Sequence, residues 1–270
     1  MSSTIDQNDR HPDGQISTEV RGNIFLIGID RPEKYNGFTP KMFSELADAY
    51  AELEKNSELW VGVLFAHGKH FPAGLDLPKF ADAMKNGEAI LPTNGIDPFS
   101  LKPPFRTKPV VAAMNGICYT AAIELMLATE IVVSEKSARF SQLEVGRGVM
   151  AAAGATFRMV ERAGWGNAMK VLLTGYEFNA EEALRYNFIQ EIVDDGDAFN
   201  RALELAEEIA KQAPLAVQAT LKSSRAYYFD SPKAAVDEFI PVMKTLANTE
   251  DAAEGVQSFI EKRPPVYKGK

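Results

Sequence analysis

The sequence is poor in cysteine and histidine and has none of the common nucleotide-binding or hydrolase motifs. Cys118 is the only cysteine in 270 residues, so an internal disulfide and a multi-cysteine metal site are both excluded. His11, His67 and His70 are too few and too poorly spaced for a zinc motif. P-loop, G-x-G-x-x-G and G-x-S-x-G patterns are absent, which argues against nucleotide-binding and serine-hydrolase functions.

Basic charge is also in short supply. The chain has 29 Lys and Arg against 37 Asp and Glu, for a formal net charge of −8. Broad binding to a nucleic-acid backbone requires clustered cations, so we expect no nucleic-acid partner. A local basic pocket for a small phosphorylated ligand remains compatible with this balance.

No segment has the character of a targeting or membrane-spanning sequence. The first twenty residues are polar and include several acids, so we expect a mobile lead-in over residues 1–18 and a cytoplasmic protein. Residues 110–133 are apolar and long enough to cross a bilayer. However, Asn115, Glu124 and Glu130 lie inside this stretch, and a carboxylate is costly at a membrane centre. We therefore predict a buried strand, turn and helix, without membrane insertion.

Hydrophobic patterning indicates an α/β protein. Residues 23–30, 60–66 and 110–113 are short apolar runs rich in β-formers, and a helix is predicted to begin at Thr39-Pro40. From Asn179 onward the pattern is mostly helical, with further helix starts predicted at Asp197, Ser231-Pro232 and Thr249. We therefore expect an α/β core over residues 19–196 and a C-terminal helical region over 197–270. Five prolines within 85–109 predict a long loop.

Three loop segments carry the polar residues of interest. Residues 66–77 (A-H-G-K-H-F-P-A-G-L-D-L) follow a predicted strand, with glycines that permit sharp turns and Asp76 as a possible helix cap. Residues 109–124 (P-V-V-A-A-M-N-G-I-C-Y-T-A-A-I-E) deliver a strand, a turn and a helix start near Thr120. Residues 140–150 (F-S-Q-L-E-V-G-R-G-V-M) place Glu144 among mostly apolar neighbours.

In order and spacing, these segments resemble the crotonase, or enoyl-CoA hydratase/isomerase, superfamily over nearly the whole chain. I-D-R-P-E-K-Y-N-G-F is similar to its opening strand and turn, F-P-A-G-L-D-L to its first oxyanion loop, and K-P-V-V-A-A-M-N-G to the lead into its second. V-L-L-T-G and F-I-E-K-R-P-P-V-Y-K-G are also typical. The resemblance implies a ClpP/crotonase-like spiral of ββα units with C-terminal helices that form a homotrimer or a dimer of trimers.

The resemblance also implies a reaction, the reversible addition of water to a trans-2-enoyl-CoA. The backbone N–H groups of Leu75 and Ala121 would hold the thioester carbonyl as enolate charge develops. Glu124 would position and activate the water, and Glu144 would supply the proton to the α-carbon. We expect this reaction to use no metal and no redox cofactor. Coenzyme A is part of the substrate and leaves with the product.

Other roles follow from the same resemblance. It places a set of residues at the CoA ester: Lys34, Tyr35, Ala73, Gly74, Asp76, Phe259 and Lys262. Ala122 is a candidate for the acyl pocket. Arg147, a cation three positions after Glu144, is another: it would pair with Glu144 and lower its pKa, bind a carboxylate of the substrate, or point away toward a structural acid. We expect Glu130 and Cys118 to be structural.

The sequence departs from the family pattern at two places. Thr120, Ala121, Ala122 and Ile123 stand where the family has a run of glycines, and the segment after Glu144 lacks the usual proline and paired glycines. These departures leave open an enoyl-CoA isomerase, or a dehalogenase, decarboxylase or ring-forming member using the same enolate. A non-catalytic acyl-CoA-binding or RNA-binding relative is the alternative from another class, against which the two glutamates argue.

Overall fold

A computed structural model describes residues 11–92 and 95–270, apart from the side chain of Phe229. Within those ranges the chain forms nine strands and eleven helices. The strands are β1 (Gln15–Arg21), β2 (Ile24–Asp30), β3 (Val61–Ala66), β4 (Val110–Met114), β5 (Ile117–Tyr119), β6 (Ile131–Glu135), β7 (Arg139–Ser141), β8 (Phe178–Asn179) and β9 (Glu191–Val193). The helices are α1 (Pro40–Lys55), α2 (Leu77–Asn86), α3 (Ala121–Leu127), α4 (Ala155–Ala163), α5 (Trp165–Thr174), α6 (Ala180–Arg185), α7 (Ala198–Ala210), α8 (Pro214–Phe229), α9 (Pro232–Asp237), α10 (Phe239–Ala247) and α11 (Glu250–Glu261).

The larger sheet has six strands in the order β1-β2-β3-β4-β6-β9. Strand β1 pairs antiparallel with β2, and the other neighbours are parallel. All seven residues of β2 are buried, as are all five of β4. Continuous apolar runs of this kind fit parallel strands covered on both faces. The structure thus confirms the prediction of an α/β protein.

A second, three-stranded sheet has the order β5-β7-β8. Strand β4 lies in the large sheet, and β5, which follows it in the chain, lies in the small sheet. In the same way β6 lies in the large sheet and β7 in the small sheet. A helix then follows each pair, giving the units β4-β5-α3 and β6-β7-α4. The short strands β5 and β7 are parallel neighbours, so the segments that leave their carboxyl ends emerge side by side. This adjacency positions the site described below.

Helix α1 covers one face of the large sheet. Thr39 accepts a hydrogen bond from the Met42 amide, and Pro40 occupies the first turn, as the sequence predicts. The buried residues of α1 are Met42, Phe43, Leu46, Ala47, Ala49, Tyr50, Ala51 and Leu53. The predicted helix starts at Asn179, Ser231 and Thr249 are confirmed by side-chain caps, and Asp197 precedes α7 without one.

The structure adds detail at both predicted domain boundaries. Strand β1 begins at Gln15, so the pairing with β2 reaches into the predicted lead-in over residues 1–18; residues 1–10 lie outside the described residues. Helix α7 lies within the predicted C-terminal region but packs against the sheet, with Ala202 and Ala206 fully buried beside Val63. The core therefore runs through α7, because small alanine side chains let this helix approach the sheet closely.

Two further findings concern the predicted loop and the membrane. Helix α2 extends into the predicted loop as far as Asn86, and the described residues between it and β4 form neither helix nor strand. Among residues 11–92 and 95–270, no helix combines the length and apolarity needed to cross a bilayer.

Candidate active site

A cavity of about 500 Å³ lies beside the segments that follow β5 and β7. Its walls are largely apolar, with two glutamates among them. The lining residues that matter below are Phe43, Ala73, Leu75, Phe99, Lys102, Thr120, Ala121, Glu124, Glu144, Arg147 and Ala153. A concave, mostly apolar pocket with a few converging polar groups is the usual form of a small-molecule site.

The two glutamates meet because β5 and β7 are paired. Tyr119 pairs with Ser141, and the Thr120 amide donates to the Ser141 carbonyl at 2.9 Å. Helix α3, which carries Glu124, starts directly after this point, and the 3-10 turn Glu144–Arg147 follows Ser141. The parallel register thus brings residues 20 positions apart in sequence to one cavity.

The Glu124 carboxylate is held by backbone amides. Its Oε1 accepts hydrogen bonds from the Ala153 amide at 2.7 Å and from the Ala155 amide at 3.0 Å. Only 3% of the residue is exposed, and this burial raises the pKa of Glu124. The amides of residues 153–155 and the charge of Arg158 oppose that rise in the pKa, because they favour the ionised form.

The Glu144 carboxyl accepts fewer and longer hydrogen bonds than the Glu124 carboxylate. Its Oε1 accepts one long hydrogen bond, 3.3 Å, from Gln142 Nε2, and its buried Oε2 has no hydrogen-bond partner among the described residues. Burial, together with the nearby Glu124 charge, raises the pKa of Glu144 to about 7, although a backbone hydrogen bond acts in the opposite direction. An unpartnered, desolvated carboxyl is more stable with its proton than without it.

The two carboxyl groups therefore have opposite tendencies within one cavity. Glu124 is surrounded by hydrogen-bond donors that stabilise a negative charge, whereas Glu144 is set up to retain a proton near neutrality. Pairs of titratable groups whose environments differ in this way mark acid and base assignments. The arrangement can accept a proton at Glu124 and donate one from Glu144 to a molecule bound between them.

Two backbone amides next to the glutamates have no protein acceptor. Leu75 and Ala121 both line the cavity, and neither N–H donates to another residue in the described part of the chain. The neighbouring amides are used: Asp76 N donates to the Phe38 carbonyl at 2.9 Å. Free N–H groups on a cavity wall, one of them in the first turn of a helix, suit an oxygen that carries negative charge.

The loops that bear these amides touch at Gly74 and Thr120. A Cβ on Gly74, whose φ is 99°, would lie 1.9 Å from Thr120 Oγ1, so only glycine fits there. Thr120 itself has φ 52° and ψ −122°, a conformation that strongly favours glycine and is strained for a β-branched residue. Ala121 and Ala122 are helical, as expected, so the strain from replacing the family's glycines falls on Thr120 alone.

Of the two predicted acyl-pocket residues, Arg147 lines the cavity and Ala122 does not. Arg147 lines the cavity, is exposed, and has no ion pair with any residue in the described ranges, so the predicted pairing with Glu144 is wrong. Ala122 is fully buried in the core and does not line the cavity. The reason is helical geometry, since Ala121 and Glu124, three positions apart, share the cavity face of α3.

Of the residues predicted to meet the CoA ester, only Ala73 lines the cavity. Its amide donates to the Tyr35 carbonyl at 3.0 Å, which ties the exposed Lys34 and Tyr35 to the first loop. The Tyr35 ring stacks on His70 with centroids 5.4 Å apart. The prediction that Asp76 caps α2 is wrong, because its carboxylate pairs instead with the buried Arg31 at 2.8 Å.

The remaining predicted residues lie outside the cavity. Phe259 and Lys262 are exposed at the end of α11. Glu130 is structural, since it pairs with Arg106 at 2.6 Å and with Arg225 at 2.9 Å. Cys118 is buried in the core, and burial raises the pKa of its thiol well above the usual range, which fits a packing role.

The sequence-based assignment missed the groups that hold Glu124. These are the amides of Ala153 and Ala155, and the buried Arg158 behind them. A sequence cannot indicate which backbone amides bind a side chain, because every residue except proline has a backbone N–H group. Gly154, four residues before Arg158, is the one local signal: it has φ 118° and directly precedes α4.

Comparison with known proteins places the chain in a family. A family model for enoyl-CoA hydratase/isomerase matches residues 19–270. The chain is 30% identical over 264 residues to an (E)-benzylidenesuccinyl-CoA hydratase of Thauera aromatica, covering 94% of this chain and 99% of the relative. It is 29% identical over 247 residues to a 2,3-dehydroadipyl-CoA hydratase of Escherichia coli, covering 92% and 96%.

Solved structures agree with these relatives. A probable enoyl-CoA hydratase/isomerase from Mycobacterium abscessus superposes with a TM-score of 0.92 at 38% identity, over 97% of this chain and all of that one. The fold predicted from the sequence motifs, a crotonase fold, is thereby confirmed. The chain belongs to the enoyl-CoA hydratase/isomerase family.

Proposed function

We propose that the protein is an enoyl-CoA hydratase, which adds water reversibly to the double bond of a trans-2-enoyl-CoA. The observation that carries the proposal is the pair of glutamates in one apolar cavity: Glu124 is held by two amides, whereas the buried Oε2 of Glu144 has no partner among the described residues. Hydration needs a base for the water and an acid for the α-carbon. The named hydratases among the relatives support the same reaction class.

In this proposal the thioester oxygen binds between the free amides of Leu75 and Ala121. Glu124 removes a proton from water, and the water oxygen forms a bond to the β-carbon. The electrons of the double bond move to the thioester oxygen, where the two amides stabilise the charge; each such donor can contribute about 3–4 kcal/mol. Glu144 then donates its proton to the α-carbon. The reaction involves no net oxidation and calls for no redox cofactor.

CoA itself would approach along the first loop. The contact between Ala73 and Tyr35 supports a path past Lys34 and Tyr35 toward the cavity, with Gly74 close to the thioester. Asp76 would contribute indirectly, since its ion pair with Arg31 holds the loop in place.

We further infer that the acyl chain bears a second carboxylate. Arg147 lies on the cavity wall with no ion-pair partner among the described residues, one 3-10 turn from Glu144, or about 6 Å along the helix axis. A guanidinium in that position suits bidentate contact with a carboxylate close to the reacting carbons. The benzylidenesuccinyl-CoA and 2,3-dehydroadipyl-CoA named for two relatives derive from dicarboxylic acids, which supports this substrate class.

We also propose that the chain assembles as a homotrimer or a dimer of trimers. Its C-terminal helices expose large apolar side chains, among them Ile240 at 77% and Phe259 at 85%. Exposed apolar area of this extent is characteristic of surfaces that bind another protein. Burial by a second copy would bring Phe259 and Lys262 toward a neighbouring chain, as the family resemblance implies.

The hydratase proposal is tested by product analysis. With crotonyl-CoA and longer trans-2-enoyl-CoAs, we expect loss of the conjugated thioester absorbance and a product heavier by one water. Glu124→Gln and Glu144→Gln should each lower the rate about 10²–10⁴-fold, because each removes a proton-transfer group. The exposed Glu181→Gln on α6 serves as the control and should retain the wild-type rate.

Other products would identify the alternatives. A product of unchanged mass with a shifted double bond would contradict hydration and indicate an isomerase. CoA-ester binding without turnover, unaffected by Glu124→Gln, would indicate a non-catalytic relative.

The substrate-class proposal is tested with two enoyl-CoAs of equal length, 2,3-dehydroadipyl-CoA and trans-2-hexenoyl-CoA. Arg147→Gln should lower kcat/KM for the carboxylated substrate about 10–100-fold, the value of one or two charge-assisted hydrogen bonds, and change it little for hexenoyl-CoA. Arg139→Gln, an exposed arginine outside the cavity, is the matched control. Equal losses on both substrates would exclude a carboxylate contact at Arg147.

The assembly proposal is tested by sedimentation equilibrium, which should give three or six times the chain mass. Ile240→Asp on α10 should shift the mass toward that of one chain, because it places a charge in the buried interface. Val20 is also an exposed apolar residue but lies on β1, so Val20→Asp should leave the mass unchanged. A wild-type protein that sediments as a single chain at micromolar concentration would refute the assembly.

A further inference from the structure

Arg158 is a buried cation close to, but outside, the proposed catalytic pair. It lies on α4 with 4% exposure. Its guanidinium donates to three carbonyls: Nη1 to Ala153 at 3.2 Å, and Nη2 to Phe99 at 2.6 Å and to Ser100 at 3.3 Å. Its hydrogen bonds to described residues all go to neutral carbonyls, and its guanidinium also lies 4.9 Å from the centroid of the Phe157 ring. Burying a cation without a hydrogen-bonded counter-ion is costly, which calls for a reason beyond packing.

The Ala153 peptide connects this cation to Glu124. Its carbonyl accepts from Arg158, and its amide donates to Glu124 Oε1 at 2.7 Å. The next residue, Gly154, has φ 118°, and a Cβ there would lie 2.0 Å from Arg158 Nη1. The backbone that holds Glu124 is therefore shaped around the guanidinium.

The second contact of Arg158 reaches the wall of the cavity. Phe99 lines the cavity, and its ring packs edge-on against Phe43, another lining residue, at 5.5 Å between centroids. The Asp97 carboxylate accepts from the amides of Phe99 and Leu101, both at 2.9 Å. This loop thus directs its carbonyls at Arg158, which joins the cavity wall to the segment that holds Glu124.

Among the charges around these groups, Arg158 favours an ionised Glu124. Glu124 faces Glu144 across the cavity and Arg158 from α4, while Arg158 faces Asp97, Glu161 and Arg162 as well as Glu124. Arg158 is the charge that lowers the pKa of Glu124, against a larger rise from burial. A base that must lose its proton before water adds would benefit from this cation.

We propose that Arg158 is a positioning residue for the reaction, aligning the Glu124 carboxylate with the cavity wall that contacts the acyl chain. The proposal rests on the hydratase function proposed above. It predicts that one side chain affects both the protonation behaviour of the base and the preference for acyl-chain length, since it holds the Ala153 peptide and the Phe99 carbonyl together.

The test compares Arg158→Met with Arg162→Met. Arg162 lies one turn further along α4 and donates to the carbonyls of Leu127 and Phe188, away from the Ala153 peptide and the Phe99 loop. Arg158→Met should lower kcat on crotonyl-CoA about 100-fold through misplacement of the base. It should also move the acidic limb of the rate–pH profile to higher pH and change the ratio of rates on C4 and C10 enoyl-CoAs.

The control variant should leave the acidic limb and the chain-length ratio at their wild-type values, even if it lowers thermal stability. Arg158→Lys, which retains the charge, should return the acidic limb toward wild type while the chain-length ratio stays altered, because a lysine cannot reach both carbonyls in the same geometry. A lower rate in Arg158→Met with an unshifted limb, or the same shift in Arg162→Met, would overturn the proposal.

A turnover-free measurement separates this proposal from the hydratase assignment. Carbon NMR of ¹³C-labelled glutamate carboxyls, with the Glu124 signal assigned by its loss in Glu124→Gln, reports the titration directly. A higher titration midpoint for Glu124 in Arg158→Met supports the charge coupling even if wild-type enzyme fails to hydrate crotonyl-CoA. An unchanged midpoint in a folded Arg158→Met contradicts it.

Discussion

Removal of two carboxyl groups from water, in one apolar cavity, is the constraint on which the rest of the site depends. Desolvation disfavours the charged form of each, and proximity disfavours charging both at once. The protein resolves this by giving the hydrogen-bond donors to Glu124 and leaving Glu144 Oε2 without a partner in the described structure. This asymmetry favours a pair that carries one proton, the state that the proposed hydration requires.

The different environments of Glu124 and Glu144 arise at the carboxyl ends of the paired strands β5 and β7. The register of β5 and β7 fixes Thr120 beside Ser141, and so sets α3 against the turn that bears Glu144. Close contact between Thr120 and Gly74 brings the amides of Leu75 and Ala121 onto the same cavity. The backbone of Thr120 is strained at the point where these two loops touch, and strained residues are common at functional sites.

Sequence patterns predicted the parts that depend on local chemistry. The strands, the Thr39 cap and the glutamates with their loops follow from apolar runs, capping residues and family motifs. What escaped prediction depends on three-dimensional contact. Asp76 pairs with Arg31 rather than capping a helix, α7 packs into the core, and Ala122 turns away from the cavity. The role of backbone amides at residues 153–155 was invisible, because amides are common to nearly all residues.

The central claim, that the active pair holds one proton with Glu144 as acid and Glu124 as base, is tested most directly by the pH dependence of kcat/KM for hydration. We expect a bell-shaped profile whose upper limb falls near pH 7, because burial raises the pKa of Glu144 to about 7 and loss of that proton removes the acid. The same bell should hold for dehydration, since both directions use a singly protonated pair. A rate that stays flat from pH 6 to 9, or an upper limb that persists in the residual activity of Glu144→Gln, would contradict the account.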